Sequence, residues 1–134
     1  MTAGDAADSF RLAVPAEAGH MTTVRAFAAA VARRFGFDED VIEDLKLAIS
    51  EACAEPIDAG VAGEIEVLVR DDDGALRYEV RCAPWTPVAQ PPADGAFVDR
   101  SALVRALFDD AESTQDGGSA VTTFSTSSRA AAGR

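Results

Sequence analysis

Basic residues are scarce in this chain: 12 Lys and Arg stand against 23 Asp and Glu, a net charge of -11 over 134 residues. A nucleic-acid binder neutralises phosphates with clustered Lys and Arg, so this balance argues against nucleic acid and equally against anionic membrane surfaces. It favours a protein partner with basic patches, because opposite fields steer association. Histidine occurs once, at His20, and the two cysteines, Cys53 and Cys82, show neither CxxC spacing nor a nearby histidine. No metal site is therefore expected, and both cysteines read as reduced, small core residues. No stretch reaches the ~18 apolar residues of a membrane span. Residues 1–9 lack the charged and apolar regions of a secretory leader, which makes the cytoplasm the expected location. A P-loop, a dinucleotide fingerprint and a nucleophile elbow are also missing.

What is present suits one globular domain. The hydrophobic content is 48%, and the length suffices for a single core without staples. The boundaries expected are a flexible amino terminus over 1–9, a folded domain over 10–126 and a flexible tail over 127–134. Phe10 to Val14 alternates apolar and polar as a strand does, up to Pro15. From about His20 to Phe35 a helix is predicted on the stripe Val24, Phe27, Val31, Phe35, closed by Gly36. His20, just before it, suits a capping or loop role. Asp38 caps a second helix with Glu39 and Asp40 in its first turn. Its core face is Val41, Leu45, Ala48 and Ala52, widened by Ile42 and Ile49, and Pro56 and Gly60 bring it to an end. Glu64–Arg70 and Leu76–Cys82 form a hairpin about the turn Asp71-Asp72-Asp73-Gly74. Residues 84–96 hold four prolines and read as a loop. A short helix over 99–111 and a final strand over 120–125, after the Gly117-Gly118 turn, complete the order. Strand–helix–helix–hairpin–loop–helix–strand predicts an α/β fold: a two-layer sandwich with a mixed, mainly antiparallel sheet and helices on one face.

That order, together with the run Asp44-Leu45-Lys46-Leu47-Ala48-Ile49-Ser50-Glu51-Ala52-Cys53, resembles the histidine-kinase-like ATPase (GHKL, Bergerat) fold, and more narrowly the RsbW-type anti-sigma factors and serine kinases. The resemblance implies that Glu51 matches the glutamate that polarises the attacking group. Glu55 stands one turn on, where active members carry an Mg²⁺-binding asparagine, and i, i+4 spacing puts both on one helix face. A carboxylate can ligate Mg²⁺, but here it adds negative charge where triphosphate would sit. The family's Asp-x-Gly-x-Gly corresponds to Cys82-Ala83-Pro84-Trp85-Thr86. A thiol replaces the adenine acceptor, and proline fixes the backbone where glycine would be free. Trp85 either fills the adenine slot or stacks on a base. The glycines of the phosphate-cradling turn fall at Val98 and Arg100, which lack that backbone freedom. The Gly-Thr pair of the last strand matches Ala120-Val121.

The family's long lid over ATP corresponds to the short, proline-rich loop before the 99–111 helix, so together these departures remove the adenine acceptor, the phosphate cradle and the lid. Glu51 then reads as a relic, because positioning dominates phosphoryl transfer. No cofactor is expected, ATP with Mg²⁺ being the one the scaffold would otherwise take. Arg25 matches a first-helix arginine that, in the family, contacts both the sigma factor and the antagonist, a role suited to a planar, bidentate fork. The expected function is an anti-sigma factor that sequesters an alternative sigma factor and is released by a STAS-type anti-anti-sigma factor without phosphorylation, as a homodimer. Two alternatives stand beside it: an active serine/threonine kinase acting on the STAS antagonist, and a same-fold adaptor for an unrelated basic protein.

Overall fold

Alternation along the chain produces strands where it is expected. The computed structural model describes residues 9–58, 63–84 and 100–126. The expected flexible ends, apart from Ser9, and the loop containing Trp85 and Val98 lie outside the described residues. The elements are β1 (Ser9–Pro15), a short 3-10 turn (Ala18–His20), α1 (Met21–Arg34), α2 (Glu39–Asp58), β2 (Glu64–Asp72), β3 (Ala75–Ala83), α3 (Arg100–Leu107), β4 (Glu112–Asp116) and β5 (Ser119–Thr126). The five strands form one sheet in the order β1-β2-β3-β5-β4. Every described pairing is antiparallel. The α/β sandwich with helices on one face is as the element order predicts.

Four details differ from the sequence reading. Ser9, expected in the flexible terminus, belongs to β1 and pairs with Arg70. Helix α2 runs through Pro56 to Asp58 and does not end at the proline. A proline removes one backbone donor, but a buried ring packed in the last turn still permits the helical path. Helix α3 is shorter than the 99–111 expected, and β4 is an additional strand.

The hairpin turn follows its chemistry. Asp72 pairs with Ala75, so Asp73 and Gly74 make a two-residue loop with φ of 54° and 95°. Positive φ at both central residues defines the turn that matches the right-handed twist of the flanking strands. Gly36, which closes α1, also takes positive φ, 82°. Asp38 caps α2 as expected: its Oδ1 accepts the Val41 N–H at 3.0 Å, a contact that contributes about 1 kcal/mol. Arg33 clasps Glu39 through two bonds of 3.0 and 2.9 Å, tying the end of α1 to the start of α2.

The core lies between the sheet and the helices. Val14, Ile65, Val67, Val69, Leu76, Tyr78, Val80, Cys82 and Phe124 line the covered face of the sheet. Each fully buried Leu, Ile or Val contributes about 1.5–3 kcal/mol relative to exposure. On α1 the deepest positions are Val24 and the alanines 28, 29 and 32, while Phe27 is only half-buried. Those small side chains let the helix backbone approach the sheet, and the Tyr78 hydroxyl donates to the Ala28 carbonyl at 3.1 Å. Burial pushes the Tyr78 phenol up from its ordinary range. On α2 the centre of the buried face is Ile42, Leu45, Ile49 and Cys53, with Val41 and Ala52 at its margin. Tyr78 stacks on Phe124 and Phe124 on Phe108, with centroids 5.4 and 4.7 Å apart, which fixes the end of α3 to the sheet.

Candidate functional site

Helix α2 carries the residues singled out by sequence. Its sheet-facing stripe fixes the direction of the rest, because each residue turns about 100° from the last. Glu51 is half-buried on α2, and Glu55 follows four residues on within the same helix. Cys53 points the other way, into the core, and is fully buried.

Cys82, near the end of β3, is 2% exposed. It faces the helices, and its thiol lies beside that of Cys53, both cysteines being free and buried. The neighbouring Cys82 thiol and burial push the Cys53 thiol up from its ordinary range. The sequence treats the two cysteines as unconnected core residues. The structure brings them together and joins α2 to β3 through them. The sequence reads each as a core residue, but nothing in it shows that the two meet. Ala120, on β5, is the register partner of Cys82, and Val121 is that of Arg81. Three positions matched to nucleotide-site landmarks, Glu51, Cys82 and Ala120, are thus carried by α2 and two adjacent strands. Chemically, the Cys82 position presents no carboxylate, and its thiol is buried beside Cys53.

Pro84 follows directly on β3 and is exposed, joined to Ala83 by a cis peptide bond. Gly63 lies beneath this corner. A Cβ added there would strike the Ala83 carbonyl oxygen and come within 2.7 Å of Pro84 Cδ. Nothing in the sequence patterning singles Gly63 out. Its role is visible only once β2 and β3 are paired. Arg100 opens α3, while Val98 and Trp85 fall outside the described residues.

Arg25 sits on α1, half-buried, and is not a free surface cation. Its Nη1 donates to Ser50 Oγ at 3.2 Å. Ser50 in turn donates to the Lys46 carbonyl at 2.8 Å. The serine immediately before Glu51 therefore orients the arginine across the seam between α1 and α2. Leu47, on the turn of α2 that precedes Ser50, is one of two large exposed hydrophobic side chains among the described residues, at 50% exposure. His20 lies in the turn preceding α1 and makes no side-chain cap to it. It stands 3.7 Å from the Glu17 carboxylate instead. Among the described residues no cluster of His, Cys, Asp and Glu is arranged to hold a metal. No helix among them is long and apolar enough to cross a membrane.

Comparison with known proteins places this arrangement. A profile of the histidine kinase-like ATPase domain matches residues 14–125. The serine-protein kinase RsbW of Bacillus cereus (strain AH820) is 32% identical over 136 residues, covering 85% of this chain and 82% of that protein. RsbW of Bacillus subtilis (strain 168) is 30% identical over 99 residues, covering 60% and 62%. Among solved structures, the RsbU and RsbW domains of Rv1364c from Mycobacterium tuberculosis superpose with a TM-score of 0.69 at 23% identity, covering 88% of this chain and 32% of that one. That likeness is one of fold. The profile match and the relatives agree with the sheet order and the α2 motif: the chain belongs to the histidine kinase-like ATPase family, in its RsbW-type anti-sigma factor and serine kinase branch.

Proposed function

We propose that this chain regulates transcription by holding an alternative sigma factor in a protein–protein complex, with Arg25 at the contact surface. The observation that carries the proposal is the Arg25–Ser50 bridge beside Glu51. It fixes a guanidinium at the seam of α1 and α2, where a planar fork is pre-organised to meet a partner's carboxylate. A STAS-domain antagonist competing for the same surface would release the sigma factor, and a homodimer in the cytoplasm is the assembly the family resemblance implies.

Two mechanisms of release follow from different observations. The curated relatives are named serine-protein kinases over most of their length, which favours phosphorylation of the antagonist over release without it. Glu51, retained and half-buried, is consistent with that reading. The sealed Cys82 supports the second mechanism, because the adenine-acceptor position offers a buried thiol packed beside Cys53 in place of a carboxylate. Calorimetry with ATP and Mg²⁺, followed by radiolabel transfer to a STAS protein, separates the two. Micromolar binding with label on the antagonist establishes the kinase, and no heat and no label establish release by competition alone. For the shared surface, Arg25→Glu is expected to weaken sigma-factor binding by about tenfold or more, since reversing a charge at a paired site costs at least about 1.4 kcal/mol. Unchanged affinity would remove Arg25 from the interface.

A further inference from the structure

The face of the sheet turned away from the helices is a grid whose rows the register fixes. One row runs Arg11, Leu68, Glu79, Thr123 across β1, β2, β3 and β5, and the next runs Ala13, Glu66, Arg81, Val121. In these rows each arginine has acidic company. Arg11 is bonded to Glu66. Arg81 reaches Glu79 at 3.4 Å and Asp116 at 3.3 Å.

The next row toward the β2–β3 hairpin, one step before the closing pair Asp72–Ala75, is different. It reads Ser9, Arg70, Arg77, Ser125. Arg70 and Arg77 are direct cross-strand partners and both are exposed. Arg77 Nη1 donates to Ser125 Oγ at 3.3 Å, which anchors one side of its fork. No carboxylate among the described residues lies within ion-pair distance of either guanidinium. Like charges directly opposite on adjacent strands destabilise a sheet. An uncompensated pair in a chain with 23 acidic residues and 12 basic ones is a local inversion of the surface.

We infer that Arg70 and Arg77 form a docking pair for a single Asp or Glu carboxylate on a partner protein. One carboxylate placed between the two forks accepts hydrogen bonds from both and cancels their repulsion, so the bound state gains twice. The flanking serines add hydroxyl donors without competing charge. Glu79 and Asp72 border the row and would repel any further anion, so the pair suits one isolated carboxylate and not a run of negative groups such as a polyphosphate. With a net charge of -11 the whole chain repels an acidic partner at long range. The pair therefore sets orientation once contact is made and does not speed encounter. This surface lies on the side of the sheet opposite to Arg25, and its test is independent of sigma-factor binding.

The experiment is a ¹⁵N NMR titration of the full chain, reading arginine side-chain Nε–H signals. The probe is a capped Gly-Ser-Glu-Ser-Gly peptide, with inorganic phosphate as a separate arm. The expected result is movement of the Arg70 and Arg77 signals with an affinity on the order of millimolar, while Arg11 and Arg81 stay in place. Arg70→Gln and Arg77→Gln should each weaken that affinity by about fivefold, the scale of one exposed charged contact. Because each relieves the repulsion, neither should lower the thermal midpoint. The inference is overturned if all four signals move together, if the peptide moves none, if phosphate moves the pair at the same concentration as the peptide, or if either variant is less stable than the parent.

Discussion

Replacing Cys82 by aspartate tests how closed the core is at the position matched to the family's adenine acceptor. The thiol there is 2% exposed and lies beside Cys53, so Cys82→Asp puts a carboxyl into a space with no basic partner in register: its neighbours across the strands are Ile65 and Ala120. Held neutral, a buried carboxyl short of hydrogen-bond partners costs about 1–3 kcal/mol. For a chain of this size that is roughly 4–12 °C in thermal midpoint. Burial pushes the carboxyl pKa up in the folded state, while the unfolded value stays near ~3.9. Between the two the folded protein holds a proton that the unfolded chain has released. Stability therefore falls as pH rises through that window, by up to about 1.4 kcal/mol per unit, and the deficit is smallest below the unfolded value. Urea denaturation of parent and variant across the range from about pH 4 to about pH 8 measures both the size and the slope. A variant equal to the parent at every pH would mean that water reaches the end of β3 and that position 82 is not sealed. Repeating the series with ATP and Mg²⁺ adds a second reading: a larger stabilisation of the variant than of the parent is expected if the position can act as an adenine acceptor.

Tyr78→Phe removes the donor to the Ala28 carbonyl and is expected to cost about 1 kcal/mol by denaturant titration. Because burial raises the Tyr78 pKa in the folded state, its contribution is present below the unfolded value of about 10 and is lost as pH rises beyond it. The parent should then lose stability more steeply than the variant between about pH 10 and about pH 12. Equal alkaline slopes would count against burial of the phenol. Gly63→Ala must push β2 away from the Ala83–Pro84 corner, and an overpacked site of this kind costs about 1–3 kcal/mol. A midpoint equal to the parent's would mean that the corner yields freely.

Much of this fold is legible in the sequence, for identifiable reasons. Strands β2 and β3 alternate cleanly because one face of the sheet is covered, and Asp73-Gly74 supplies the backbone geometry a two-residue hairpin favours. Strand β4 leaves no such trace. Its residues, Glu112-Ser113-Thr114-Gln115-Asp116, are all polar because it is an edge strand, and only the Gly117-Gly118 turn hints that β5 has an antiparallel partner. The α2 stripe is displaced by one residue, toward Ile42 and Cys53, because the helix packs against both α1 and α3 as well as the sheet and its apolar arc is wide. The candidate site is less legible. A motif suffices to name Glu51, Cys82 and Ala120, but the bond from Arg25 to Ser50 and the meeting of Cys53 with Cys82 join residues on different elements, far apart in the chain. Periodicity within one element carries no information about such pairs.

Pro56 has a consequence for the stretch of α2 between Glu51 and Glu55. Having no amide hydrogen, it cannot donate to the carbonyl of Ala52, four residues earlier. The helix keeps its path through the packing of the buried ring, yet one rung of its ladder is missing beside the glutamate that defines the family motif. That carbonyl faces the proline ring in place of an N–H, so the backbone ladder of α2 is interrupted in its last turns.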